Sequence, residues 1–264
     1  MQKRYSWYGI VAIALFSLIF TLFGFVQTIR FTTGSPVSQT ATAPGTADKP
    51  VKEGNIINVF IIGDSIAMGI GDEKLQGIGG YLKDLMKTQT PRDIVVDNAG
   101  IDGLKTAELL QSIKSGRMDN ALKSADFIVI SIGGNDLREI QRLTDVSREA
   151  AYQEKKAAYL AGLKETTQKI RALNKNSVLI FIGLYDPTGQ DNANENAKFV
   201  SEWNYQTQLL VAADQKAIFI PTYDLFKLNL DRFMAADKLH PNSTGYQMIS
   251  YLISKDIENM LGQL

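Results

Sequence analysis

With no cysteine and a single histidine, His240, the chain has few ways to make a nucleophile. Thiolate catalysis, disulfides, iron–sulfur clusters and every cysteine-containing zinc site are excluded. Sites built on several imidazoles are excluded with them, so any step that needs this base must use His240. Asp237 lies three residues earlier, in Asp237-Lys238-Leu239-His240-Pro241-Asn242. That spacing lets a carboxylate reach one ring nitrogen while the other faces the pocket. A serine hydroxyl is barely nucleophilic near neutral pH unless such a base assists it. Ser65, in Gly63-Asp64-Ser65-Ile66-Ala67, is the candidate: small residues at 63 and 67 permit a sharp strand-to-helix turn. The N–H groups of the helix end behind it suit a developing oxyanion. Gly133-Gly134-Asn135-Asp136 adds Asn135, whose side-chain amide can donate to an anion without adding charge. Asn98-Ala99-Gly100-Ile101-Asp102-Gly103 adds a glycine N–H at close approach. Taken singly, each residue also has an ordinary structural use. Ser65 could be a helix N-cap, His240 and Asp237 a surface pair, and Gly103 a turn residue. Asn135 could be a cap, a role in which Asp136 would serve equally. An Asp-x-x-His metal site would lack further imidazole or thiolate ligands, so no metal is expected.

Groups this far apart in sequence need a scaffold that returns them to one place. Five β-branched runs, Ile56–Ile62, Asp93–Asp97, Phe127–Ile132, Val178–Ile182 and Ala217–Ile220, are nearly continuous in apolar character. That is the pattern of parallel strands covered on both faces. Ile66–Lys87, Lys105–Lys114, Val146–Asn174, Ala193–Gln215 and Ser243–Leu264 are long enough for helices. The alternation predicts an α/β fold: a three-layer α/β/α sandwich on a five-stranded parallel sheet, doubly wound and flavodoxin-like. Ligands bind such sheets beyond the carboxyl ends of the strands. All four chemical segments fall there, so Ser65, Gly103, Asn135 and His240 are expected at one rim.

The chain's 264 residues suffice for a sizeable core, and a 45% hydrophobic, 21% charged composition excludes a mainly disordered protein. Lys plus Arg and Asp plus Glu both number 28, so no basic excess points to a nucleic-acid partner. From Trp7 to Val26 run twenty residues without a charge. At about 1.5 Å each, a helix of that length crosses a hydrocarbon layer of about 30 Å. Lys3 and Arg4 precede it and only Arg30 follows closely, which puts the N-terminus in the cytoplasm and the remainder outside. The stretch exceeds a signal-peptide core, and Gln27-Thr28-Ile29-Arg30-Phe31 is a poor cleavage site. Residues 1–31 are therefore expected to be a cytoplasmic stub and an uncleaved transmembrane anchor. Residues 32–55, without an aromatic side chain, read as a flexible tether reaching about 25–30 Å. Residues 56–264 are expected to be the folded domain that carries the four chemical segments, held on the extracytoplasmic side of the cell membrane by the single span.

In this order, the four segments resemble the signature blocks of the SGNH/GDSL hydrolase family. The blocks are GDSIAMG with Ser65, NAGIDG with Gly103, GGND with Asn135, and DKLHPN with Asp237 and His240, and the likeness runs from Ile56 to Tyr251. Ile66-Ala67 departs mildly, standing where Leu-Thr or Leu-Ser is often found. The resemblance implies a catalytic triad of Ser65, Asp237 and His240. It implies an oxyanion hole formed by the backbone N–H groups of Ser65 and Gly103 and the amide of Asn135. Gly103 is preferred over Gly100 because the family's donor glycine falls late in its block. The implied activity is that of a serine esterase or lipase acting on carboxylic esters through an acyl-Ser65 intermediate, without a cofactor. Small acyl esters, lysophospholipids and O-acylated glycans are the implied substrates. An O-acyltransferase delivering the acyl group to a sugar hydroxyl, or a catalytically silent envelope scaffold, are the alternatives. The α/β-hydrolase elbow does not fit: residue 67 is Ala, and the serine follows the first strand of the domain.

Overall fold

Period-two alternation along the strands decides which face of the sheet each side chain covers. The computed structural model describes residues 56–141, 148–188 and 193–261. The expected membrane anchor (residues 1–31) and tether (32–55) lie outside the described residues. Among the described residues, no helix is long and apolar enough to cross a membrane. β1 (Ile56–Gly63), β2 (Asp93–Gly100), β3 (Phe127–Ser131), β4 (Val178–Ile182) and β5 (Ala217–Ile220) form one sheet in the order β2-β1-β3-β4-β5. All of its strand pairings are parallel. Phe60 and Ile62 of β1 share one face with Ile128, Ile130, Leu179 and Phe181. Ile57, Val59 and Ile61 share the other with Phe127, Val129, Ile180 and Ile182. The strands read as unbroken apolar runs because both faces are covered.

Ten helices connect and cover these strands among the described residues. They are α1 (Ser65–Met68), α2 (Gly77–Gln89), α3 (Thr106–Lys114), α4 (Asp119–Ser124), α5 (Gly134–Gln141), α6 (Arg148–Leu173), α7 (Ala193–Ala212), α8 (Tyr223–Lys227), α9 (Leu230–Phe233) and α10 (Ser243–Leu261). Leu109, Leu122, Leu137, Tyr159 and Trp203 bring α3 to α7 onto the first face. Leu82, Phe226, Phe233 and Ile253 bring α2, α8, α9 and α10 onto the second. The expected three-layer α/β/α sandwich on five parallel strands is the observed one.

Two expectations need correction. The single helix read over Ile66–Lys87 is two helices, because α1 stops at Gly69, a left-handed C-cap with φ 94°. In the connecting loop the buried Asp72 takes the place of helical turns. Its carboxylate accepts from the N–H groups of Lys74 (3.0 Å), Gln76 (2.8 Å) and Gly77 (2.7 Å), and from the hydroxyls of Tyr81 (3.1 Å) and Ser243 (2.6 Å). The loop is thereby tied to the start of α10. The second correction concerns β2, which continues through Gly100 instead of ending at Asp97. Its ladder with β1 persists until Gly63 faces Gly100.

Candidate active site

The nucleophile turn is fixed from three strands. β1 ends at Gly63, with φ 134°, where a Cβ would stand 1.8 Å from the Ser131 carbonyl oxygen on β3. Only glycine lets the two strands close at that point. Asp64, not Ser65, is the N-cap of α1. Its carboxylate accepts from the Ile66 N–H (3.0 Å) and the Ser131 hydroxyl (3.0 Å). Ser65 is thus the first helical residue, and its hydroxyl has no capping task. From the end of β2, Asn98 donates to the Ala67 carbonyl (2.7 Å) and accepts from the Gly100 N–H (2.8 Å), clamping α1 from the other side. Sequence reasoning passed over both Asp64 and Asn98. The cap at least had a local signal, since Asp is as strong an N-cap as Ser.

Burial pushes the Asp64 carboxyl up to about 6 from an ordinary 3.8, against the opposing hydrogen bonds from Ser131 and Ile66. The native state therefore binds more protons than the unfolded chain between these values. The stability this carboxyl contributes is full below about pH 4 and lost as pH rises through about 6. Asp64→Asn keeps an acceptor for both donors and removes the titration. Its stability relative to wild type is expected to rise by about 3 kcal/mol between about pH 3 and 7, then level off. Urea melts at stepped pH test this; a difference that does not change with pH would contradict it.

Beyond β5, α8 and α9 turn the chain back toward the carboxyl ends of the strands. Met234 and Pro241 form an isolated antiparallel bridge, and Asn242 donates to the carbonyls of Arg232 (2.8 Å) and Met234 (3.1 Å). From the end of β4, the Tyr185 hydroxyl donates to the Leu239 carbonyl (2.8 Å). Within this braced loop, Asp237 Oδ1 accepts from the N–H groups of Leu239 (2.9 Å) and His240 (3.0 Å). Oδ2 lies 2.7 Å from His240 Nδ1, and Nε2 lies 2.9 Å from Ser65 Oγ. Burial works to raise the Asp237 carboxyl, but the hydrogen bonds from the His240 ring and the two N–H groups prevail and hold it at about 2. An ionised carboxylate only accepts, so Nδ1 carries the ring proton. In the neutral ring Nε2 then presents its lone pair to the serine hydroxyl.

Three donors face the space beside Ser65. The N–H groups of Ser65 and Gly103 have no hydrogen-bond acceptor among the described residues. Gly103 has φ 74°, and a Cβ built on it would meet nothing within 4 Å. Gly100, by contrast, is wedged under α1, where a Cβ would lie 2.3 Å from the Met68 nitrogen. The structure thus puts Gly103, and not Gly100, on the open side. Asn135 Nδ2 donates one hydrogen to the Leu104 carbonyl (3.0 Å), which braces the Gly103 turn and leaves its second N–H unused. Asp136 points elsewhere: its carboxylate accepts from the Thr106 N–H (3.1 Å) and hydroxyl (3.0 Å) at the start of α3. Ser65, Gly103, Asn135 and His240 all line a cavity of about 290 Å³ whose other walls include Ile182, Leu184 and Val200. Among the described residues, no cluster of three or more His, Asp or Glu side chains could hold a metal ion.

A model of the GDSL-like lipase/acylhydrolase family matches residues 61–248. The chain belongs to this family. Two Bacillus proteins are similar along most of this GDSL hydrolase. The uncharacterized protein YpmR of Bacillus subtilis (strain 168) is 28% identical over 208 residues, 76% of this chain and 82% of that protein. The spore germination lipase LipC of Bacillus licheniformis is 24% identical over 195 residues, 72% of this chain and 91% of that protein. The crystal structure of the lipase Lip_vut3, from a goat rumen metagenome, shares the fold, with a TM-score of 0.69 at 23% identity. That comparison covers 75% of this chain and 95% of the lipase. The GDSL hydrolase is accordingly an enzyme of the esterase, lipase and acylhydrolase class, as the four sequence blocks implied.

Proposed function

We propose that this GDSL hydrolase is an extracytoplasmic serine acylhydrolase, held at the cell membrane by residues 1–31, that cleaves carboxylic esters through an acyl-Ser65 intermediate. The observation that carries the catalytic reading is the continuous chain from Asp237 through His240 to Ser65, at 2.7 and 2.9 Å. Ser65 Oγ attacks the ester carbonyl as His240 Nε2 takes its proton, and Asp237 stabilises the resulting imidazolium. The negative oxygen of the tetrahedral intermediate is met by the N–H groups of Ser65 and Gly103 and by the unused N–H of Asn135. His240 then protonates the leaving alcohol, and water releases the acyl group by the same steps in reverse. The cavity, about 290 Å³, is at the small end of ligand sites, which run to about 1,000 Å³. Short and medium acyl chains fit that size better than bulky ones.

The membrane reading rests on sequence: twenty uncharged residues from Trp7 to Val26, with Lys3 and Arg4 before them. A serine-directed fluorophosphonate is expected to label Ser65 of the folded protein, alongside turnover of p-nitrophenyl esters that peaks at short to medium chain length. An unlabelled Ser65 in folded protein would defeat the catalytic reading. Protease treatment of intact cells should remove the domain, and full protection would defeat the assigned side of the membrane. Asn135→Ala should lower kcat about 10²- to 10³-fold with little change in KM, since its spare N–H meets charge that develops only in the transition state. Steady-state kinetics on one ester checks this.

A further inference from the structure

The acyl-transfer steps leave the cavity's arginine without a task. Arg138 lines the cavity together with Asn135. Both stand on α5, three residues apart, and side chains at that spacing share a helix face with Cβ atoms about 5–6 Å apart. Arg138 is half-buried, yet its guanidinium has no hydrogen bond or ion pair among the described residues. The neighbouring acids are already engaged. Glu139 is paired with Lys105 and with Lys155 (2.7 Å), and these contacts hold its carboxyl at about 2. Asp136 is bound to Thr106, and Asp64 to Ile66 and Ser131. Asp102, the remaining acid of the lining, is exposed. Ile182, Leu184, Pro187 and Val200 offer an acyl chain a wall and an anion nothing.

A cation on the cavity wall with no partner among the described residues is available to an anion that enters beside Asn135. The guanidinium presents planar, forked donors that match the oxygens of phosphate or carboxylate in pairs. Its place on α5 sets the distance at which such oxygens must sit. Asn135 is positioned for the ester carbonyl oxygen, so Arg138 reaches a group only a few bonds from that carbonyl.

We infer that the enzyme prefers esters carrying an anionic phosphate or carboxylate within a few bonds of the scissile carbonyl, with Arg138 holding that group while Asn135 meets the carbonyl oxygen. The inference rests on the acylhydrolase reading and names its substrate class. Arg138 acts in recognition and undergoes no covalent change.

Kinetics of the full chain on two matched pairs tests this. The first pair is 1-decanoylglycerol 3-phosphate against 1-decanoylglycerol, kept below aggregation. The second is 1-acetylglycerol 3-phosphate against 1-acetylglycerol. Wild-type kcat/KM should favour the phosphorylated member of at least one pair by about ten- to a hundredfold, the range for hydrogen bonds to charged groups. A preference confined to the decanoyl pair points to a lipid source, and one in the acetyl pair to a soluble or polymeric phosphate ester. Arg138→Gln should bring the ratio close to one, chiefly by raising KM for the phosphorylated ester, and Arg138→Lys should restore part of it. No preference in either wild-type pair overturns the inference, as does an Arg138→Gln variant that loses both members of a pair equally. If Arg138→Gln fails to fold, competition by glycerol 3-phosphate against neutral-ester turnover in wild type and Arg138→Lys decides instead, and absence of competition overturns the inference. Turnover of neutral esters without a phosphate preference removes this inference alone. No turnover of any ester, with Ser65 unlabelled, removes the acylhydrolase reading, and the inference falls with it.

Discussion

Ser65→Ala is expected to lower kcat on a small chromogenic ester about 10⁴- to 10⁶-fold while the protein stays folded. The hydroxyl can be removed without structural cost because its hydrogen bond is to His240, and the cap of α1 is the neighbouring Asp64. Alanine also suits a helical position. His240→Ala should lose about as much, since a serine without its base is close to inert. The double variant Ser65→Ala/His240→Ala should be no worse than either single change, because groups acting as one unit are grossly non-additive. Kinetics on the three variants, with circular dichroism to establish folding, measures this. Either single variant keeping more than about 1% of wild-type kcat would mean that the hydroxyl attacking the ester lies elsewhere.

The chemistry was legible because the chain offers so little choice: with one imidazole and no thiol, only the partners of His240 had to be found. The sheet was legible because strands buried on both faces carry unbroken apolar runs such as Val-Phe-Ile-Ile in β1. Asp97 to Gly100 escaped this reading for a physical reason. β2 is an edge strand, and its polar and glycine residues are poor strand formers held in place by the ladder with β1. The break after α1 was hidden because Ile78 and Leu82 continue a helix-like spacing across it. What replaces the helix is a set of contacts to Asp72, the most distant from Ser243, 171 residues away. No local pattern carries a contact of that range, and the same holds for Tyr185 reaching Leu239. Short helices lack the turns needed to show a period. For α5 this mattered most. Read as a loop, GGND gives Asn135 alone; read as a helix start, it also aligns Arg138 with Asn135 on one face.

Asp237→Asn separates the shape of the catalytic loop from its chemistry, and is expected to lower kcat about 10⁴-fold with the loop intact. Oδ1 of Asp237 holds the backbone by accepting from Leu239 and His240, while Oδ2 accepts from the ring. An asparagine placed the same way keeps its oxygen on the two backbone N–H groups and turns its NH₂ toward Nδ1. Nδ1 must then accept, so the ring proton moves to Nε2, where it faces Ser65 as a donor and cannot receive the serine proton. Asp237→Ala should differ in kind, since it loses both backbone acceptors and loosens the loop as well as the tautomer. A further contrast lies at low pH. The folded carboxyl sits at about 2, below its ordinary 3.8, so its share of wild-type stability is present above about pH 4 and lost as pH falls toward 2. Asp237→Asn lacks that titration and should show a flatter acid limb. Imidazole ¹⁵N shifts report the tautomer directly: the proton should sit on Nδ1 in wild type and on Nε2 in the asparagine variant. A variant that keeps wild-type turnover with its proton on Nε2 would show that the serine does not pass its proton to His240.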